Sequence, residues 1–124
     1  MPILSNSELV PEVIPGIDHR TLAGAEHGLR HLAVWSQRMA PGGATPPHYH
    51  DCEEVVIVLE GAGTVDVDGQ PHPVRAGDTV IVPAGVPHQI INTGTLPLRT
   101  LASLSSSDVK VYLPDGQLVQ VPWN

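Results

Sequence analysis

Residues 42–61 read GGATPPHYHDCEEVVIVLEG, and this stretch decides the architecture. Val55-Val56-Ile57-Val58-Leu59 is a continuous, largely β-branched run, the pattern of a buried strand. Gly61 and Gly63 end it. Pro46-Pro47 keep the preceding chain extended, because proline biases its predecessor away from helix. His48 and His50 stand between the prolines and the run. Side chains at i and i+2 of an extended chain share a face, so both imidazoles can reach one ion. Tyr49 points the other way and is expected to pack. Glu54 follows a short connection and can add an oxygen ligand.

Downstream of this stretch, strand and turn signals alternate. Thr64-Val65-Asp66-Val67-Asp68 is apolar on one face and wet on the other. Asp68-Gly69 is a hairpin signal, since a type I′ turn needs positive φ at both centres. Residues 71–74 return as its partner. Residues 79–82 and 89–91 read as strands flanking Pro83-Ala84-Gly85-Val86-Pro87. Strands at 98–104, 109–113 and 118–121 follow, with a second hairpin turn at Asp115-Gly116. Upstream, 30–39 is a strand candidate that ends at Ala40-Pro41-Gly42-Gly43. Residues 1–30, punctuated by prolines, read as an N-terminal arm of the same domain, with one strand near 20–22. Residues 31–124 read as a single barrel. No helical period of useful length occurs, so the chain is all-β, a sandwich or barrel.

A second constellation supplies the third imidazole. Gly77, Pro83, Gly85, His88 and Asn92 are spaced G-x5-P-x-G-x2-H-x3-N. His88 follows a tight Pro-Gly turn at the mouth of the next strand. The first constellation, Gly42, His48, His50, Glu54 and Gly61, is spaced G-x5-H-x-H-x3-E-x6-G. Each single histidine would be unremarkable on its own; two complete motifs in order are specific.

Together these motifs resemble the two signature motifs of the cupin superfamily, directly over Gly42 to Asn92 and by strand pattern elsewhere. The resemblance is to a small monodomain cupin. It implies a double-stranded β-helix, a jelly-roll-like barrel of two antiparallel sheets, and metal ligands at His48, His50, Glu54 and His88. It also implies homodimers, formed through a sheet face or an exchanged N-terminal strand. Glu53 competes with Glu54, but the spacing to Gly61 and the shared parity of 48, 50 and 54 favour Glu54. The donor set suits Fe, Mn, Ni, Cu or Zn without choosing among them. Four protein ligands leave one or two positions open on an octahedral ion, for water, substrate or oxygen.

Composition narrows the partners. The net charge is −7, and six Lys or Arg residues are scattered, so nucleic acid is not expected. No apolar run has the length of a membrane span. No basic-then-apolar leader is seen, and the one cysteine, Cys52, excludes an internal disulfide, so a cytoplasmic location is expected. Phe is absent, so the core must be aliphatic.

The expected function is a metal-dependent enzyme acting on a small molecule, most simply a dioxygenase, with Glu54 also able to shuttle a proton. Isomerase or lyase chemistry, or non-catalytic binding or sensing, are the alternatives. Gln37 and Met39 are expected on the substrate pocket, with Arg38 the candidate if the opposite face of its strand turns inward. Cys52 reads as a small buried filler, His72 as solvated, Trp35 as core or dimer contact, and Trp123 as a pin for the C-terminal tail. His19, His27 and His31 carry no functional expectation.

Overall fold

The computed structural model describes residues 2–123. Eleven strands follow in chain order: β1 Glu12–Ile14, β2 Ile17–Ala23, β3 Ala33–Met39, β4 Glu54–Glu60, β5 Ala62–Val67, β6 Gln70–Arg75, β7 Thr79–Val82, β8 His88–Ile91, β9 Leu98–Leu104, β10 Val111–Tyr112 and β11 Leu118–Val119. Two short 3-10 turns, Asn6–Glu8 and Ala25–His27, are the only helical pieces among the described residues. Among the described residues, no helix is long and apolar enough to cross a membrane.

One sheet has six strands in the order β1-β2-β3-β9-β4-β7, and every pair is antiparallel. The other is built on β6-β5-β8. Residues 44–49 extend it through isolated bridges, Ala44 to Ile91, His48 to His88 and Tyr49 to Tyr112, which lead to the β10–β11 hairpin. The double-stranded β-helix expected from the two motifs is therefore present.

Alternation sets the core. β4 turns Glu54, Val56 and Val58 inward, β9 turns Leu98, Thr100, Ala102 and Leu104 inward, and β3 turns Ala33, Trp35 and Met39 inward. With no Phe available, stability is spread over many aliphatic side chains, each worth roughly 1.5–3 kcal/mol when fully buried.

Glycines and turns punctuate the strands where the spacing demands. Asp68 and Gly69 have φ of 51° and 81°, the left-handed pair that a type I′ hairpin requires. Gly61 combines φ of 85° with a carbonyl of Pro97 that would lie 2.4 Å from any Cβ, so only glycine fits there. Asn92, 1% exposed, donates from Nδ2 to the carbonyls of Met39 and Leu96 and accepts from Gly94 N–H. Its amide thus ties the end of β3 to the 92–96 loop.

The N-terminal part departs from expectation. Residues 12–23, read as an arm with one short strand, form β1 and β2, and β2 pairs with β3 from Ile17–Met39 to Ala23–Val34. Pro11 and Pro15 mask the pattern locally, while pairing to β3 supplies the missing order. The strand expected at 30–39 begins later, at Ala33. The last two strands shrink to two residues each, because Pro114 and Pro122 interrupt the ladder.

Candidate metal centre

The two sheets bring four polar side chains together in the interior. His48 and His88 exchange both backbone hydrogen bonds, at 2.9 and 2.8 Å. Directly opposed residues project to one face, so their rings lie side by side with centroids 4.3 Å apart. His50, two residues beyond His48, keeps the same face, with its ring centroid 5.0 Å from that of His48. Glu54 opens β4 in the facing sheet and points inward. Its Oε1 lies 3.0 Å from His88 Nε2 and 3.6 Å from His50 Nε2. All four side chains are buried, between 2% and 8% exposed.

Backbone carbonyls choose the tautomers. Nδ1 of His48 lies 2.7 Å from Pro46 O, Nδ1 of His50 lies 2.7 Å from Lys110 O, and Nδ1 of His88 lies 3.0 Å from Val86 O. A carbonyl can only accept, so each Nδ1 carries the proton. Each neutral ring therefore aims an Nε2 lone pair at a common point. One ligand atom from each of the three histidines falls within 4.8 Å of the others, close enough to share an ion. Such outer hydrogen bonds fix ring orientation and raise ligand basicity.

The centre holds an unmet demand for positive charge. Nε2 of His50, Nε2 of His88 and Oε1 of Glu54 are buried without a hydrogen-bond partner among the described residues. Two lone-pair atoms 3.0 Å apart, Glu54 Oε1 and His88 Nε2, repel unless a proton or a cation sits with them. Donors around 2.1 Å from an ion stand about 3 Å from each other, so the spacing fits a cation that these residues share.

Titration follows the same geometry. Burial, helped by His88, lowers His48 to about 4. Burial also lowers His50, outweighing the attraction of Glu54. Burial opposes charge on His88 and Glu54 as well, but their mutual contact wins. His88 is raised, and Glu54, with all three histidines nearby, is lowered. Two of the rings are thus shifted toward the neutral form, and His88 toward holding a proton against the carboxylate.

A cavity of about 60 Å³ adjoins the four side chains. Apart from them its polar lining is Gln37, Thr45 and Thr100; the rest is apolar, including Ile17, Val56, Ile90 and Trp35. Gln37 faces this cavity, whereas Met39 does not line it and packs in the core at 3% exposure. Met39 pairs with Ile17 and Leu98 at the end of β3. Arg38 points outward. Cys52 is a buried filler whose thiol is pushed up by burial, an inert setting. Tyr49 stacks on Tyr112 with centroids 5.2 Å apart, on the face opposite the imidazoles.

Two side chains by the cavity carried no expectation of being there. His19 is 0% exposed, with Nδ1 2.9 Å from Gln37 Nε2 and Nε2 2.8 Å from Thr21 Oγ1. Burial lowers it to about 3, so it is uncharged at neutral pH. Trp123 stacks on its ring, centroids 3.8 Å apart and planes 7° apart, and also lines the cavity. No local motif marks a contact between residues so far apart in the chain.

The chain is similar to Auxin-binding protein 1 of Arabidopsis thaliana, at 36% identity over 91% of this chain and 64% of the relative. It is also similar to an auxin-binding protein of Nicotiana tabacum, at 37% identity over 93% of this chain and 70% of the relative. The chain thus spans about two thirds of the length of these curated relatives. Among solved structures, the polyketide cyclase RemF from Streptomyces resistomycificus superposes with a TM-score of 0.76 at 24% identity, over 88% of this chain and 83% of that one. The cupin domain model matches residues 35–104, which hold all four converging side chains. On that match, and on the two-sheet fold that carries it, the chain belongs to the cupin family.

Proposed function

We propose that the chain holds one divalent transition metal through His48, His50, Glu54 and His88, and uses it to bind a small, mostly apolar molecule by an oxygen atom. The observation that carries this reading is the tautomer lock, three Nδ1 protons committed to backbone carbonyls with three Nε2 atoms converging beside a buried carboxylate. Imidazole with carboxylate suits Fe, Mn, Ni, Cu or Zn. The ion would supply an open coordination position and, if redox-active, electrons. Gln37, with Thr45 and Thr100, offers a polar anchor in a mostly apolar wall, and its amide is oriented by His19.

Metal uptake near neutral pH should release fewer than three protons, because His48 and His50 are lowered and only His88 is raised. Affinity then falls as pH drops through the raised value of His88. Calorimetric titration of zinc in buffers of different ionisation enthalpy counts these protons, and a count near three would contradict the arrangement.

Of the reactions open to such a site, we put dioxygenase chemistry first, because the small apolar cavity suits dioxygen beside a substrate oxygen. Glu54 is the proposed proton carrier, since it is the one carboxylate that lines the cavity. Binding without turnover is the second reading. It is favoured by the scarcity of other proton-moving groups in the lining, and by relatives whose names state that they bind auxin. The test is oxygen consumption by iron-loaded protein with a panel of diketones, phenols and flavonols, alongside tryptophan fluorescence titration with an aromatic acid. Consumption that Glu54→Gln lowers at least tenfold supports the enzyme; saturable binding with no turnover supports the binding protein.

We extend the proposal to assembly and location. The outer face of the six-stranded sheet carries Val55 beside Ile81 and Ile57 beside Leu101, with Ile81 65% exposed. This apolar face supports a homodimer, and sedimentation equilibrium at the mass of one chain would count against it. The single thiol, Cys52, supports a reducing, cytoplasmic setting.

A further inference from the structure

The metal cavity and a second chamber share one partition. The second chamber, about 320 Å³, lies on the far side of Trp35 and Trp123, the two residues that line both spaces. The inner space of about 60 Å³ is well below the roughly 300–1,000 Å³ of typical small-molecule pockets.

The two tryptophans are held very differently. Trp35 sits in the middle of β3, paired with Thr21 on one side and Ala102 on the other. Trp123 lies beyond the last strand, which ends at Val119. Residues 122–123 form a turn outside any strand ladder. The Trp123 indole Nε1 is buried without a partner. The ring stacks in parallel on His19, meets Trp35 edge-on at 6.2 Å and packs against the rim of the core. His19, by contrast, is fixed at both ring nitrogens.

We propose that residues 120–123 form a movable wall, and that Trp123 swings off His19 to open the metal cavity to the outer chamber. His19 is the latch, a positioning residue rather than a catalytic one. The outer chamber is lined by Glu12, Glu26 and Asp108 and by no Lys or Arg, so it favours cations and neutral molecules over free anions. Lys110 Nζ approaches Asp108 at 4.0 Å without joining the lining. The route therefore suits loading of the metal itself. This inference rests on the metal-binding reading, and the test separates the two.

The experiment follows release of cobalt(II) to a small chelator by its visible absorption, together with solvent exchange of the two indole N–H groups in metal-free protein. Trp123→Ala should speed cobalt release at least fivefold, and Trp123→Phe, which keeps a stack, should stay within about twofold. A stacked aromatic pair is worth about 2- to 10-fold in the closed-to-open ratio. His19→Leu should therefore speed exchange of the Trp123 indole by about that factor while leaving Trp35 unchanged. Cobalt release at the wild-type rate in Trp123→Ala, or unchanged Trp123 exchange in His19→Leu, would overturn the movable wall. Protein that takes up no cobalt would sink the metal reading alone, because the exchange measurement still decides whether the wall moves.

Discussion

His50→Ala is expected to strip tight metal binding from the protein while leaving the barrel folded. The lost imidazole is one of three converging Nε2 donors, and its Nδ1 anchor on Lys110 disappears with it. Loss of an outer hydrogen-bonding partner alone costs 10–100-fold in metal affinity, so loss of a ligand should cost more, about 1000-fold or beyond. The fold should survive because the core around Val56, Val58, Leu98 and Leu104 is aliphatic and does not depend on the ring. Elemental analysis with circular dichroism reads both halves. Wild-type metal stoichiometry in a folded His50→Ala protein would remove His50 from the ligand set.

The second large effect concerns acid. His19 is lowered to about 3 and His48 to about 4, while either would titrate near 6.5 in the unfolded chain. The unfolded state then binds more protons between those values, so stability present above pH 6.5 is lost as pH falls toward 3. Each group accounts for a loss on the order of 3 kcal/mol, a large fraction of a typical 5–15 kcal/mol total. Glu54 acts in the same direction below its ordinary range, since its folded value is lowered. His88 acts oppositely: its raised value contributes stability below pH 6.5 that fades as pH rises through the folded value. Denaturant unfolding of metal-free protein should show a marked drop between pH 7 and pH 4. His19→Leu should flatten that dependence, and an unchanged profile in His19→Leu would mean that His19 is not the buried neutral group described.

These two predictions draw on residues of very different legibility. His48, His50 and His88 were readable because their geometry is local. An i, i+2 pair in an extended chain shares a face, and a Pro-Gly turn sets where the next strand begins. Their convergence then needed only the antiparallel bridge between His48 and His88. The facing of β3 was not readable, since Trp35, Gln37 and Met39 on one face and Val34, Ser36 and Arg38 on the other both mix polar with apolar. Pairing with β9 turns the odd-numbered set inward, and strand length then separates Gln37, at the cavity, from Met39, in the core. His19 was invisible for another reason. Its surroundings come from Thr21, Gln37 and Trp123, which belong to β2, β3 and the C-terminal tail and meet only in the fold.

The central claim is a shared ion at His48, His50, Glu54 and His88. X-ray absorption at the edge of the ion found in purified protein tests it most directly. The expected result is three imidazole nitrogens and at least one oxygen at about 2.0–2.2 Å. A sulfur shell at about 2.3 Å, fewer than three imidazoles, or no bound metal after loading would contradict it.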